Sequence, residues 1–243
     1  MARYGQFCPV AKSLEILGDQ WTLLIVRDML GGISHFNDLE RGLPGISRGL
    51  LSQRLQLLRR AGIIEKRLHA GHRQSTEYTL TQSGQELAGV IGALTVWGEA
   101  WAFAEPEPEE LDPVLLMWWL RGDVQPEKLS QTRAVVRFDF LMDRKAVFWL
   151  VITPADVTLC LTDPGYEVDL LVTSDLAALY KLWWGQITYE QAIRDYGVMI
   201  EGSPQLVREF PGWIRWSASR HMSELKSMRG ASPVLRNGAI RED

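Results

Sequence analysis

Four side chains in one short segment have the types and spacing that suit contacts with nucleic-acid bases: Arg48, Ser52, Gln53 and Gln56. Arginine and glutamine hydrogen-bond the edges of guanine and adenine in the major groove, and serine can bond to either base. Spacings of three to four residues place side chains on one face of an α-helix. The segment therefore predicts a helix whose polar face contacts DNA. The alternative is an ordinary solvated helix face that carries scattered arginines.

The residues around these four have the signals of such a helix. Ser47 precedes the segment and suits the N-cap position, and Gly62 follows Ala61 at the end, where helices commonly stop. The face opposite the polar residues carries leucines at intervals of four and three residues, which we expect to be buried: Leu51, Leu55 and Leu58. The sequence thus predicts a helix from Ser47 to Ala61.

Positive charge is concentrated around this helix although the whole chain has a net charge of −4. Between residues 41 and 73 the sequence has eight basic residues and one acid, Glu65. A DNA-binding surface needs such a local excess of positive charge. We expect Arg54 and Arg60, which flank the polar face, to contact phosphates. The bases in this interval are Arg41, Arg48, Arg54, Arg59, Arg60, Lys66, Arg67 and Arg73.

The neighbouring segments predict a winged helix-turn-helix. A short helix is expected over His35–Arg41, and two strands, residues 63–68 and 76–80, flank a polar tip after the long helix. A second long helix is expected from Thr81 to Phe103. In this arrangement the tip of the hairpin touches the DNA backbone or minor groove, and the tip residues that suit this contact are His72 and Arg73.

Residues 8–101 resemble the HxlR family of bacterial winged-helix transcriptional regulators. The resemblance rests on three phrases in the right order: CPVAKSLEILGDQWTLLIVRDML, FNDLERGLPGISRGLLSQRLQLLRRAGIIEKR and YTLTQSGQELAGVIGALTVWGEAW. It implies a homodimer on a pseudo-palindromic operator, with the flanking helices forming the dimer contact. Trp97 and Trp101 suit that contact; their packing inside one protomer is the alternative.

Cys8 is a candidate redox residue, because some HxlR-type regulators use a cysteine in the same Cys-Pro setting as a thiol sensor. A helix beginning near Pro9, together with Lys12 one turn away, would stabilise the thiolate. The alternative is a small side chain buried for packing.

The composition changes near Ala104. The following stretch is rich in proline and glutamate, which predicts a linker. We therefore expect a DNA-binding and dimerisation domain over residues 1–104 and a linker over residues 105–113. A ligand-binding domain is expected over residues 114–216, followed by a polar, mobile tail over residues 217–243.

The third segment alternates short strands with turns and ends in helices, which predicts an antiparallel meander followed by helices, and an α+β fold for the chain. The order resembles the sterol carrier protein 2 family over residues 112–216. That resemblance implies a five-stranded sheet, rich in antiparallel pairing and covered by helices, with an apolar cavity for a hydrophobic or lipid-like molecule.

Large aromatic side chains in this segment either line such a cavity or fill a core. Seven of the ten tryptophans lie between residues 118 and 216. The candidates for the ligand pocket are Trp118, Trp119, Phe140, Trp149, Trp183 and Trp184.

Other function classes lack support. The chain has no motif of a hydrolase, phosphate-binding loop or zinc site, so we expect no catalytic residue, no metal and no cofactor. It has no apolar run of membrane-spanning length and no signal peptide, so we expect a cytoplasmic protein without membrane insertion. The sequence thus favours a homodimeric repressor controlled by a hydrophobic molecule. Two alternatives are a protein that sequesters such a molecule, with the winged helix serving dimerisation or protein contacts, and a redox-sensing regulator.

Overall fold

The computed structural model describes residues 4–69, 75–142 and 146–216. The predicted wing-tip residues His72 and Arg73, and the predicted tail over 217–243, lie outside these ranges. Buried apolar side chains form two clusters, one drawn from residues 25–64 and the other from residues 116–214. We call residues 4–103 the N-terminal unit and residues 113–216 the C-terminal unit.

The N-terminal unit has the predicted winged-helix order. Its two strands pair antiparallel, with Ile64 opposite Leu80. The elements are α1 (Pro9–Leu17), α2 (Thr22–Leu30), α3 (Phe36–Gly42), α4 (Arg48–Arg60), β1 (Ile64–His69), β2 (Ser75–Leu80), α5 (Gln82–Glu86) and α6 (Ala88–Trp101).

Helix α4 forms for the reasons its sequence suggests. The hydroxyl oxygen of Ser47 accepts a hydrogen bond from the backbone N–H of Leu50 at 3.2 Å, which satisfies one free donor of the first turn. The three leucines of the stripe are fully buried in the N-terminal cluster, where they join residues such as Ile25 and Leu39. Capping and burial of one face therefore fix which face of α4 remains outside.

The predicted single helix from Thr81 to Phe103 is wrong, because the chain forms α5 and α6 with a break at Leu87. The N–H of Leu87 donates to the carbonyl of Gly84 in a tight turn, which interrupts the α-helical hydrogen bonds there. The start is as predicted, since the Thr81 hydroxyl accepts from the N–H of Gly84 at 3.3 Å.

The segment between the units is attached to the C-terminal unit. Residues Pro108–Glu110 form a short 3₁₀ helix, and the Glu105 carboxylate lies 2.6 Å from the Lys181 ammonium. The Tyr180 hydroxyl donates to the carbonyl of Asp112 at 2.9 Å. The predicted linker therefore makes specific contacts with the helix that carries Tyr180 and Lys181.

Within the described residues, the C-terminal unit contains a five-stranded mixed sheet and four α-helices. The elements are α7 (Pro113–Gly122), β3 (Ala134–Phe140), β4 (Ala146–Ile152), β5 (Val157–Cys160), β6 (Leu170–Ser174), α8 (Leu176–Trp184), α9 (Tyr189–Asp195), β7 (Met199–Gly202) and α10 (Pro204–Glu209). The strand order is β5-β4-β3-β6-β7. The predicted antiparallel meander is wrong in one pairing: β6 runs parallel to β3, because residues 161–169 carry the chain across the sheet.

Helices α7 and α8 contribute to the same buried cluster as one face of this sheet. Phe138 and Phe140 of β3 are buried in that cluster, whereas Arg137 and Asp139 alternate with them on the other face. The sheet and helices thus form a two-layer α+β unit. Throughout the described ranges, no helix is long and apolar enough to cross a membrane.

Candidate nucleic-acid interface

The polar face of α4 points away from the N-terminal core. Arg48, Gln53, Gln56 and Arg60 are exposed, and Ser52 is half-buried beside them. Ser47 is exposed as well and caps the helix, so its hydroxyl is already engaged. The structure therefore brings together the residues predicted to contact bases, on one accessible face of one helix.

Arg48 is held in place by α3. Its guanidinium pairs with the Glu40 carboxylate, donates to the Asn37 side-chain oxygen at 3.2 Å, and lies 4.9 Å from the centre of the Phe36 ring. The side chain is still 64% exposed. Asn37 and Glu40 were not predicted to belong to the site; their proximity depends on the angle between two helices, which no local pattern reveals.

The surroundings of Arg54 do not fit its predicted role as a phosphate contact. Its side chain is only 15% exposed, and its guanidinium lies 2.5 Å from the carboxylate of Asp19, a residue of the segment between α1 and α2. Its Nε is buried without a hydrogen-bond partner. The packing therefore assigns Arg54 to fixing α4 against the preceding helices. Arg59, which the prediction passed over, is exposed in the last turn beside Arg60.

Strand β1 continues the basic surface. Lys66 and Arg67 are exposed, and the Arg67 guanidinium lies 3.6 Å from the Glu65 carboxylate, a pair open to solvent and therefore weak. The charge excess seen in the sequence thus reaches from α4 into the wing.

The turn before α4 has a close packing constraint. Gly45 has a φ of +89°, a left-handed conformation that favours glycine, and the Trp21 ring lies against it. Trp21 itself has a φ of +77°, which is unusual for a large side chain. The start of α2 and the turn before α4 therefore pack together at these two residues.

An apolar surface lies on α6. Trp97 is 60% exposed and Trp101 is 79% exposed, so their predicted alternative, packing inside one protomer, is wrong. Phe7 and Val10, at the start of the chain, are exposed too.

Cys8 occupies the N-cap position of α1, immediately before Pro9, and is half-buried as a free thiol. The Lys12 ammonium, expected to lie near it, is 3.0 Å from the Glu15 carboxylate. The helix terminus is therefore present as predicted, but the neighbouring cation is directed to another partner. Thiol sensing stays a prediction.

The aromatic residues predicted to form a pocket separate into two groups. Trp118, Trp119, Trp183 and Trp184 line a cavity of about 420 Å³ that lies between the two units. Phe140 is instead fully buried in the C-terminal core, and Trp149 lies on the other face of the sheet under the Arg137 guanidinium. The cavity is thus formed by both units, and the placement of Phe140 and Trp149 in it is wrong.

Asp28 is a buried acid in the cavity wall. Burial raises its pKa from an ordinary 3.8 to about 6, although the charge and hydrogen bond of Arg27 lower it. The Arg27 Nε donates to Asp28 Oδ1 at 2.8 Å, and Oδ2 is buried without a hydrogen-bond partner. This unpaired oxygen was not predicted, because nothing local marks Asp28 as buried.

No cluster of three or more histidines, cysteines or acids that could hold a metal ion occurs within the part of the chain that the structure describes.

Comparison with known proteins identifies the N-terminal unit. The family model described as HxlR-like helix-turn-helix matches residues 16–106. The HTH-type transcriptional regulator Rv3095 of Mycobacterium tuberculosis is 37% identical over 100 residues, which are 41% of this chain and 61% of the relative. The chain therefore spans about three fifths of the length of that relative.

Two further proteins match over most of their own length. The reduced form of the transcriptional regulator YodB from B. subtilis is a solved structure with 28% identity, covering 40% of this chain and 96% of that chain with a TM-score of 0.36. The HTH-type transcriptional regulator YvaP of Bacillus subtilis is 33% identical over 98 residues, which are 40% of this chain and 91% of the relative. Because YvaP matches over nearly its whole length and the family model spans the helix-turn-helix and the wing, the chain belongs to the HxlR-like helix-turn-helix family.

Proposed function

We propose that this protein is a sequence-specific DNA-binding transcriptional regulator, acting as a homodimeric repressor. The observation that carries the proposal is the exposed polar face of α4, opposite a buried leucine stripe and within a surface of positive charge. Membership of a family whose relatives are named transcriptional regulators supports it.

In the proposed complex α4 lies in the major groove. Arg48, Ser52, Gln53 and Gln56 contact base edges. Arg48, whose side chain is 64% exposed, exchanges its pairing with Glu40 for a base. Arg59 and Arg60 at the other end of α4 hold phosphates, together with His72 and Arg73 of the wing. Arg54 positions the helix through Asp19.

The dimer contact is proposed to form on α6, where exposed apolar side chains would otherwise contact water. Trp97 and Trp101 supply large rings of the kind that dominate interface energetics. A two-fold axis through this surface would place two α4 helices in successive major grooves, about 34 Å apart, on a pseudo-palindromic operator.

Control by a hydrophobic molecule is the remaining part of the proposal. The tryptophan-lined cavity also favours a second candidate function, sequestration of such a molecule with the winged helix serving only dimerisation or protein contacts. The two candidates differ in whether α4 recognises a DNA sequence.

Selection of duplexes from a random library separates them. Purified full-length protein is incubated with the library over several rounds, at about 150 mM salt to suppress nonspecific phosphate binding. We expect enrichment of an inverted repeat whose half-sites are centred about one helical turn apart. Sequencing that finds no enriched motif after successive rounds would contradict the proposed function.

A further inference from the structure

The cavity between the two units has walls from both of them. The end of α2 and the start of α3 contribute one side, and the ends of α7 and α8 contribute the other. Its volume of about 420 Å³ falls within the range typical of small-molecule sites. A molecule bound there would touch the DNA-binding unit and the C-terminal unit at once.

The C-terminal wall is aromatic and rigid. The rings of Trp119 and Trp183 are stacked, with centroids 5.0 Å apart and an angle of 10° between their planes. Trp184 packs edge-on against Trp183 at 4.9 Å. Because each ring is fixed by another, the wall is preorganised for a flat apolar surface and loses little side-chain freedom on binding.

Several polar groups of the wall are paired with each other. The Trp183 indole N–H donates to Asp123 Oδ2 at 2.8 Å, and the Arg215 guanidinium lies 3.7 Å from Asp123 Oδ1. Arg27 is bound to Asp28 Oδ1. Asp28 Oδ2 is shielded from the cavity and lies beside Gly42, which does not line it, so this oxygen offers no acceptor to a bound molecule.

We propose that this cavity is the effector site of the protein, and that it binds a flat aromatic molecule. The tryptophan rings of the C-terminal wall contact the aromatic surface of that molecule. The site stands on its own geometry; only its role in controlling DNA binding rests on the proposed function.

The N-terminal wall connects the cavity to both DNA-contacting elements. The carbonyl of Ser34 accepts from the N–H of Tyr78 in β2 at 2.7 Å, which ties the wall to the wing. His35 is the N-cap residue of α3, and α3 carries Asn37 and Glu40, the partners of Arg48. A ligand that shifts this segment therefore shifts the wing and the start of α4 together, provided that its affinity differs between the two positions.

Two alcohols test the ligand chemistry. The probe is 1-hydroxypyrene, which is flat and aromatic, and the control is dodecanol, which is flexible and aliphatic. Energy transfer from tryptophan to pyrene reports binding of the probe to the wild-type protein, and its loss on adding dodecanol reports the affinity of the control. We expect hydroxypyrene to bind about tenfold more tightly or better, because the fixed tryptophan rings match a flat aromatic surface. Equal affinities would overturn the preference for a flat aromatic molecule.

A cavity-filling substitution tests the location. A side chain at Gly122, at the end of α7 in the cavity wall, would enter open space, so Gly122→Leu should fold and obstruct the site. We expect at least about a tenfold loss of hydroxypyrene affinity from such a block. Gly212→Leu, also in open space but outside the cavity wall, is the matched control and should bind like wild type. Equal binding by both variants would overturn the location.

Measurements with the enriched DNA present distinguish ligand binding at the cavity from sequence-specific DNA binding. Binding of the probe should change DNA affinity, and DNA should change probe affinity by the same factor, in wild type but not in Gly122→Leu. Probe binding at the cavity without sequence-specific DNA binding would overturn the proposed function and leave the site standing. Specific DNA binding that the probe does not affect would overturn the control of DNA binding by this cavity.

Discussion

Replacing both Arg48 and Gln53 by alanine is expected to lower affinity for the enriched operator by at least about 30-fold, since each base contact contributes roughly 1–3 kcal/mol. Both side chains are exposed, and the partners of Arg48 on α3 are reachable by water. The free energy of unfolding should therefore change by less than about 1 kcal/mol. Fluorescence anisotropy with a labelled duplex measures the affinity, and urea unfolding measures the stability.

The control for this prediction removes the same residue types elsewhere. Arg194 and Gln205 are exposed on α9 and α10 of the C-terminal unit. The double variant Arg194→Ala/Gln205→Ala should bind the operator like wild type. If the α4 variant binds as tightly as this control, base contact by Arg48 and Gln53 is refuted.

Gly84→Ala is expected to destabilise the N-terminal unit by about 3 kcal/mol, an effect of overpacking at the upper end of the usual range. A Cβ at position 84 would lie 2.2 Å from the carbonyl oxygen of Ile63, far inside van der Waals contact. That carbonyl is fixed, because it accepts hydrogen bonds from the N–H and the hydroxyl of Thr81. Neither α5 nor the start of β1 can move without losing these bonds.

Gly89→Ala is the matched control for Gly84→Ala. Gly89 is exposed on α6, and a Cβ there meets no atom within 4 Å. Alanine should stabilise the helix by roughly 0.5–1 kcal/mol, because it restricts the unfolded chain more than glycine does. Thermal unfolding of the two variants should move in opposite directions. A Gly84→Ala protein as stable as wild type would show that the close approach of α5 to Ile63 is not required.

The parts of the fold that could be predicted from sequence are those fixed by local chemistry. Ser47 and the leucine stripe located α4, and Thr81 located the start of α5, because capping and helical periodicity act over a few residues. The same holds for Thr188 and Gln191, whose reciprocal bonds open α9.

The features that were missed depend on contacts between distant segments. The salt bridge of Arg54 with Asp19 joins residues 35 positions apart, so periodicity could show only that Arg54 flanks the stripe. The parallel pairing of β6 with β3 follows from the path of residues 161–169. The short spacing between strands had instead predicted antiparallel pairing throughout the sheet. The cavity needs Asp28 and the four tryptophans to meet across two units, a placement without any local signal.

Cleavage of DNA by an iron chelate attached to α4 tests the central claim most directly. The chelate is placed on Gln53→Cys in a Cys8→Ser/Cys160→Ser background, and on Gln205→Cys in the same background as the control. With α4 in the major groove, the Gln53→Cys conjugate should cut the enriched duplex at two positions about one helical turn apart. Cutting no stronger than that of the Gln205→Cys conjugate, or spread evenly along the duplex, would contradict a role for α4 in recognising DNA.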